Sequence, residues 1–167
     1  LEEGLAEVWS TLEVSPGRAI LGKPPESRLR LLDRVNWLPP NEFWGTSKNS
    51  SIYRDEFLAS VFYAQAWAVA HALTFHPGWK GKLPDYISAI GSGMDSAEAF
   101  RLVWRKEPAE AVAAARSWAG RSQYGGVSIE LPARLPAAEP QVRALDDTEA
   151  VLLRADALLA NRQTSAA

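Results

Sequence analysis

The chain has 167 residues, a net charge of −2 and no cysteine. That excludes a disulfide framework, a thiolate metal site and a cysteine nucleophile, and it gives no reason to expect nucleic acid or an anionic membrane surface as a partner. Apolar residues are 47% and charged residues 23%, which suits one domain with a real core and an appendage.

Leu1, Leu5, Val8, Trp9 and Leu12 recur at helical spacing, and Ser15-Pro16-Gly17 stops that helix. The opening LEEGLAEVW is mid-helix in character, so the chain reads as a piece of a longer polypeptide. Ser27 is placed to cap a short helix carrying Leu29, Leu32 and Val35 on one face. Pro39-Pro40 ends it and starts a short turn from Asn41 to Trp44, and GTSKNSS over 45–51 reads as a polar loop.

Residues 57–75, FLASVFYAQAWAVAHALTF, carry no charge and nothing that breaks a helix. Their length alone would permit a membrane span. Tyr63, Gln65 and His71 are spread along them, however, and Arg54, Asp55 and Glu56 charge the start. The stretch therefore reads as a buried central helix, with no membrane span. His76-Pro77-Gly78 closes it.

Amphipathic helices are predicted over 83–90 and 96–104, the second capped by Asp95 or Ser96, and an alanine-rich one over 107–118 with Pro108 in its first turn. At 123–131 the period changes: Tyr124, Val127, Ile129 and Leu131 predict one extended strand or arm. Pro132, Pro136 and Pro140, spaced by alanines, read as a linker. A last helix runs to Asn161, capped by Asp147 or Thr148, with Ala155, Leu158 and Ala167 at the spacing that opens a tetratricopeptide repeat. The expected fold is mainly α, a helical bundle around 57–75. Its divisions are a helical domain (1–120), an arm and linker (121–145), and a partial repeat-like helix (146–167).

Chemistry is sparse. His71 and His76 lie five apart in HALTFH, whereas a zinc-peptidase pair needs histidines at i and i+4 with a Glu between. His71 on a buried helix reads as a core histidine hydrogen-bonded to a carbonyl or carboxylate. There is no Gly-x-Ser-x-Gly elbow, and GSG at 91–93 lacks the Lys and preceding strand of a phosphate loop. Glu3 and Glu7 lie at i and i+4 on one helical face, with Gly4 allowing close backbone approach. The bland reading is a solvated acidic face at a helix start.

LEEGLAEV resembles the Leu-x-Glu-Gly-x-Ala segment of gluzincin zinc metallopeptidases. In that clan the Glu before the Gly is the third zinc ligand, which the resemblance puts at Glu3. Glu7, one turn on, would hold a zinc-bound His in orientation. Tyr63-Ala-Gln-Ala-Trp looks like the Tyr-x-Lys-Gly helix of gluzincin aminopeptidases, whose Tyr stabilises the tetrahedral intermediate; Gln65 and Ala66 replace the Lys and Gly. Tyr63 is equally readable as a buried aromatic with its hydroxyl satisfied.

A fuller resemblance, over residues 1–118, is to bacterial proteins that place a gluzincin-like domain ahead of tetratricopeptide repeats; FYAQAWAVAHAL, LPPNEFW and GMDSAEAFRLVW carry it. It implies zinc in the intact parent and a peptide or protein substrate. This chain lacks the His-Glu-x-x-His segment, so by itself it is expected to be inactive and to hold no zinc. It is also expected to self-associate through an exposed face. The rival expectation is a non-catalytic helical scaffold linked to the repeats.

Overall fold

A computed structural model describes residues 1–47, 49–121, 124–132 and 143–165, with side chains as far as 157. They divide into two compact units, one ending at residue 134 and one beginning at 135. Pro136, Pro140 and Ala167, on which the expected linker and repeat partly rest, lie outside the described residues, as does the side chain of Leu158.

The fold is mainly helical. The first unit runs α1 (Glu2–Trp9), β1 (Glu13–Ser15), β2 (Arg18–Leu21), α2 (Glu26–Arg34), α3 (Pro40–Gly45), α4 (Ser51–Arg54), α5 (Glu56–Phe75), α6 (Leu83–Gly91), α7 (Ser96–Trp104), α8 (Pro108–Ala119) and β3 (Val127–Glu130). Helix α5 is the centre, and α1, α2, α4 and α8 pack on it. Asp55 caps its start, the carboxylate accepting from the Leu58 amide at 2.9 Å. Among the described residues α5 is the one helix long and apolar enough to cross a membrane, and 67% of its apolar window is buried inside the unit. Small side chains explain how it takes neighbours on several sides. Ala64, Ala66, Ala68, Ala70 and Ala72 are all buried, so other helices approach closely.

Gln65 shows how α5 organises a loop. Its amide oxygen accepts from the Leu38 N–H at 2.8 Å and its amide nitrogen donates to the Leu38 carbonyl at 3.2 Å. Gln65 is fully buried, so replacing it by leucine strands both backbone groups. We expect Gln65→Leu to lose about 2–3 kcal/mol in denaturant melts. A loss below about 0.5 kcal/mol would mean that these two bonds contribute nothing net.

Caps fix the remaining helices. Asp95 accepts from the Ala97 and Glu98 amides to start α7, and Glu107 with Glu110 forms a capping box on α8. Behind them Trp79, Phe100 and Trp104 stack at 6.0 and 4.9 Å between centroids, and Trp104 Nε1 donates to the Trp79 carbonyl. Of the seven tryptophans, only Trp9 is exposed.

The strands depart most from expectation. Ser15-Pro16-Gly17 does not end the first helix, which stops at Trp9; it turns a hairpin pairing β1 with β2, Gly17 taking the positive φ of 77° that a Pro-Gly turn requires. The segment expected as an arm pairs with β2 as well, Ala19 opposite Ile129 and Leu21 opposite Val127, giving the order β1-β2-β3. It is therefore part of the first unit's sheet. Central helix α5 does not lack cover either. The exposed large apolar side chains include Phe57 at its start, Val14, Val127 and Ile129 on the sheet, and Trp9, Leu12, Ile87 and Leu102 elsewhere in the first unit.

The second unit holds α9 (Asp147–Ser165), one continuous helix. Its cap is Asp146, ahead of the expected Asp147 or Thr148. Asp146 and Glu149 each accept the other's backbone N–H, and Arg143 forks onto the Glu149 carboxylate at 2.6 Å twice.

Candidate functional site

Three of the sequence-predicted residues meet at one place, and the cause is a glycine. A Cβ added to Gly4 would lie 2.2 Å from the Ala66 carbonyl oxygen and 3.0 Å from the Ala70 Cβ. Only a bare Cα lets α1 come this near to α5, and that approach carries Glu3 and Glu7 alongside Tyr63.

Glu7 and Arg28 form a half-buried fork: Nη2 donates to Oε1 at 2.7 Å and Nε to Oε2 at 3.1 Å. The Arg28 guanidinium carbon lies 5.9 Å from the centroid of the Tyr63 ring, within cation–π range. Tyr63 in turn meets Tyr53 edge-on, centroids 6.0 Å apart at 85°. The Tyr53 hydroxyl donates to Glu3 Oε1 at 3.3 Å. The result is a continuous run from Glu7 through Arg28, Tyr63 and Tyr53 to Glu3. Burial, and then the Glu3 carboxylate and Tyr63 beside it, pushes the Tyr53 phenol above its ordinary range. Tyr53 is thus a fixed proton donor at neutral pH, not a base.

Glu3 opens on a cleft of about 220 Å3, whose other walls include Thr46, Ser47, Tyr53, Phe62 and Ser96. The Tyr53 and Thr46 hydroxyls there already donate within the chain, to Glu3 and to the Glu42 carbonyl, and a cation would face Glu3. Both oxygens of Glu7 are engaged by Arg28, so Glu7 serves to seat α2 on α1.

His71 belongs elsewhere. It is fully buried, with Nε2 donating to the Gly22 carbonyl at 2.8 Å and Nδ1 accepting from Trp118 Nε1 at 2.8 Å. Burial lowers its pKa below the ordinary histidine value despite the Gly22 bond, so it is neutral at pH 7. With both ring nitrogens used, it joins β2 and α8 to α5 and has no lone pair for a metal.

Tyr53 and Arg28 were missed by sequence reasoning. Tyr53 sits on a four-residue helix in the segment entered from the polar loop, which has no readable period. Arg28 is one of several charges on α2, and nothing local says that it turns toward α1. Among the described residues, no three His, Cys, Asp or Glu side chains come together as a metal site would need. The donors present do not by themselves fit zinc. Compared with family models, curated proteins and solved structures, the chain finds no match.

Proposed function

We propose that this chain is the helical half of a gluzincin-like zinc peptidase domain, in which Glu3 supplies one carboxylate to a metal held otherwise by a His-Glu-x-x-His segment elsewhere in the parent polypeptide. The observation that supports it is that Glu3 and Tyr53 line one cleft, hydrogen-bonded to each other, with the Tyr63 ring edge-on to Tyr53. Glu and Tyr at this separation are what the resemblance calls for, and the resemblance by itself says nothing about Tyr53.

In this reading zinc supplies Lewis-acid activation when bound. The chain's own contribution is positional. Tyr53 holds the Glu3 carboxylate in one orientation, and the Glu7–Arg28 fork fixes α1 and backs Tyr63. With the Tyr53 proton given to Glu3, the donor that the resemblance assigns to a carbonyl oxygen gaining negative charge is the Tyr63 hydroxyl. The isolated chain would be inactive and would bind zinc weakly or not at all, because one carboxylate replaces none of the missing donors.

The test is the parent protein with Glu3→Gln. We expect chelator-sensitive peptide hydrolysis to fall by about a hundredfold or more, with zinc content falling in parallel. Unchanged hydrolysis and unchanged zinc would overturn the peptidase reading. The rival is a non-catalytic helical scaffold preceding repeats. It predicts that Glu3→Gln does nothing.

A further inference from the structure

A second and larger hollow, of about 500 Å3, opens where α3, α7 and α8 begin. Pro40, Trp44, Ala97, Pro108 and Ala109 give it apolar walls, and the charged Asp95, Arg101 and Glu107 line it as well. The Trp44 indole is held firmly: Nε1 donates to the Pro108 carbonyl at 3.2 Å, and its ring packs on Phe43 and Phe100 at 5.7 and 5.2 Å. A preformed apolar wall of this kind needs little ordering when something binds.

Two of the three charges around the hollow are matched to each other. Arg101 pairs with Glu107 at 3.0 Å, and Asp95 spends one carboxylate oxygen on the first amides of α7. An anion would meet an Arg101 already paired with Glu107, and a cation would find only the second Asp95 oxygen in exchange for its water, whereas an apolar occupant loses nothing. The volume falls in the range that takes a whole side chain with room to spare.

The hollow also adjoins the Glu3 cleft through consecutive residues. Gly45 lines the hollow and Thr46 the cleft; Ala97 lines the hollow and Ser96 the cleft. The shared stretches 45–46 and 96–97 put the two close enough for one extended peptide to meet both.

We infer that the hollow takes the large, uncharged, apolar side chain of an extended peptide whose backbone crosses the Glu3 cleft. The course of the backbone rests on the peptidase reading. The preference of the hollow rests on its own walls.

The experiment is a titration of the 15N-labelled 167-residue chain with blocked tripeptides, read at the Trp44 indole N–H, which points to Pro108. Acetyl-Ala-Phe-Ala-amide is expected to shift that signal and to bind about tenfold or more tighter than the same peptide with Gly or Asp at its centre. Ala109→Trp fills the hollow from an exposed first-turn position of α8, outside the Glu3 cluster, and should abolish the shift while leaving the melting curve in place. Equal responses to Phe, Gly and Asp, no response at all, or a Phe response that survives Ala109→Trp would each overturn the inference. A Phe-selective shift in this chain, with Glu3→Gln silent in the parent, would keep the hollow's preference and overturn the peptidase reading. Loss of hydrolysis in Glu3→Gln with no Phe selectivity would do the reverse.

Discussion

Gly4→Ala is expected to cost about 3 kcal/mol, lowering Tm by roughly 10 °C. Helix propensity pulls the other way, since alanine in a helix is favoured over glycine by about 1 kcal/mol. The steric term wins because of what the new methyl meets. It would sit 2.2 Å from a backbone oxygen and 2.7 Å from the carbonyl carbon of Ala66, neither of which can rotate aside. Helix α1 must then lift off α5, taking buried Val8 and the Glu7–Arg28 fork with it. A control separates the two effects. Gly91, the last residue of α6, has nothing within 4 Å of its would-be Cβ, so Gly91→Ala should be neutral or gain up to about 0.5–1 kcal/mol. If Gly4→Ala also proved neutral, α1 would not be docked as described. The Tyr53–Glu3 contact would then have no structural cause.

His71→Leu should cost about 3–4 kcal/mol, since it leaves the Gly22 carbonyl and the Trp118 indole N–H buried without partners. His71→Gln, whose amide has one donor end and one acceptor end, should recover part of that loss. The same histidine sets a pH dependence. Its folded pKa lies below the ordinary 6.5, so between the two values the unfolded chain binds more protons than the folded one. Its contribution is complete above about pH 6.5 and is lost as pH falls toward the folded pKa, at up to about 1.4 kcal/mol per pH unit. His76 is also lowered, by partial burial first and then by the Arg121 charge, and pulls in the same direction. Subtracting the His71→Gln curve from wild type isolates His71. Parallel stability curves between pH 7 and 5 would show that His71 is not held neutral by folding.

Much of the helical skeleton was legible because helices advertise themselves locally. The charge-free run at 57–75, Pro108 in a first turn and Asp95 at a start are properties of neighbouring residues. The hairpin was less legible, because Pro16-Gly17 serves equally as a helix stop and as a turn. Which one prevails depends on whether β2 finds a second partner in β3, more than a hundred residues along.

The candidate site divides along the same line. Glu3, Gly4 and Glu7 were visible as residue types at helical spacing, and Tyr63 through the resemblance of its helix. Their partners were not: Arg28 meets Glu7 across 21 residues of sequence, Trp118 meets His71 across 47 and Tyr53 meets Glu3 across 50. The sequence by itself determined a helical protein built on one alanine-rich central helix, because period, composition and caps act over a few residues. Only the tertiary structure decided that Glu7 is committed to an arginine, that His71 is a neutral tie between β2, α5 and α8, and that Tyr53 stands over Glu3. Those outcomes depend on which faces pack together, and close packing around small residues such as Gly4 and Ala66 is what selects them.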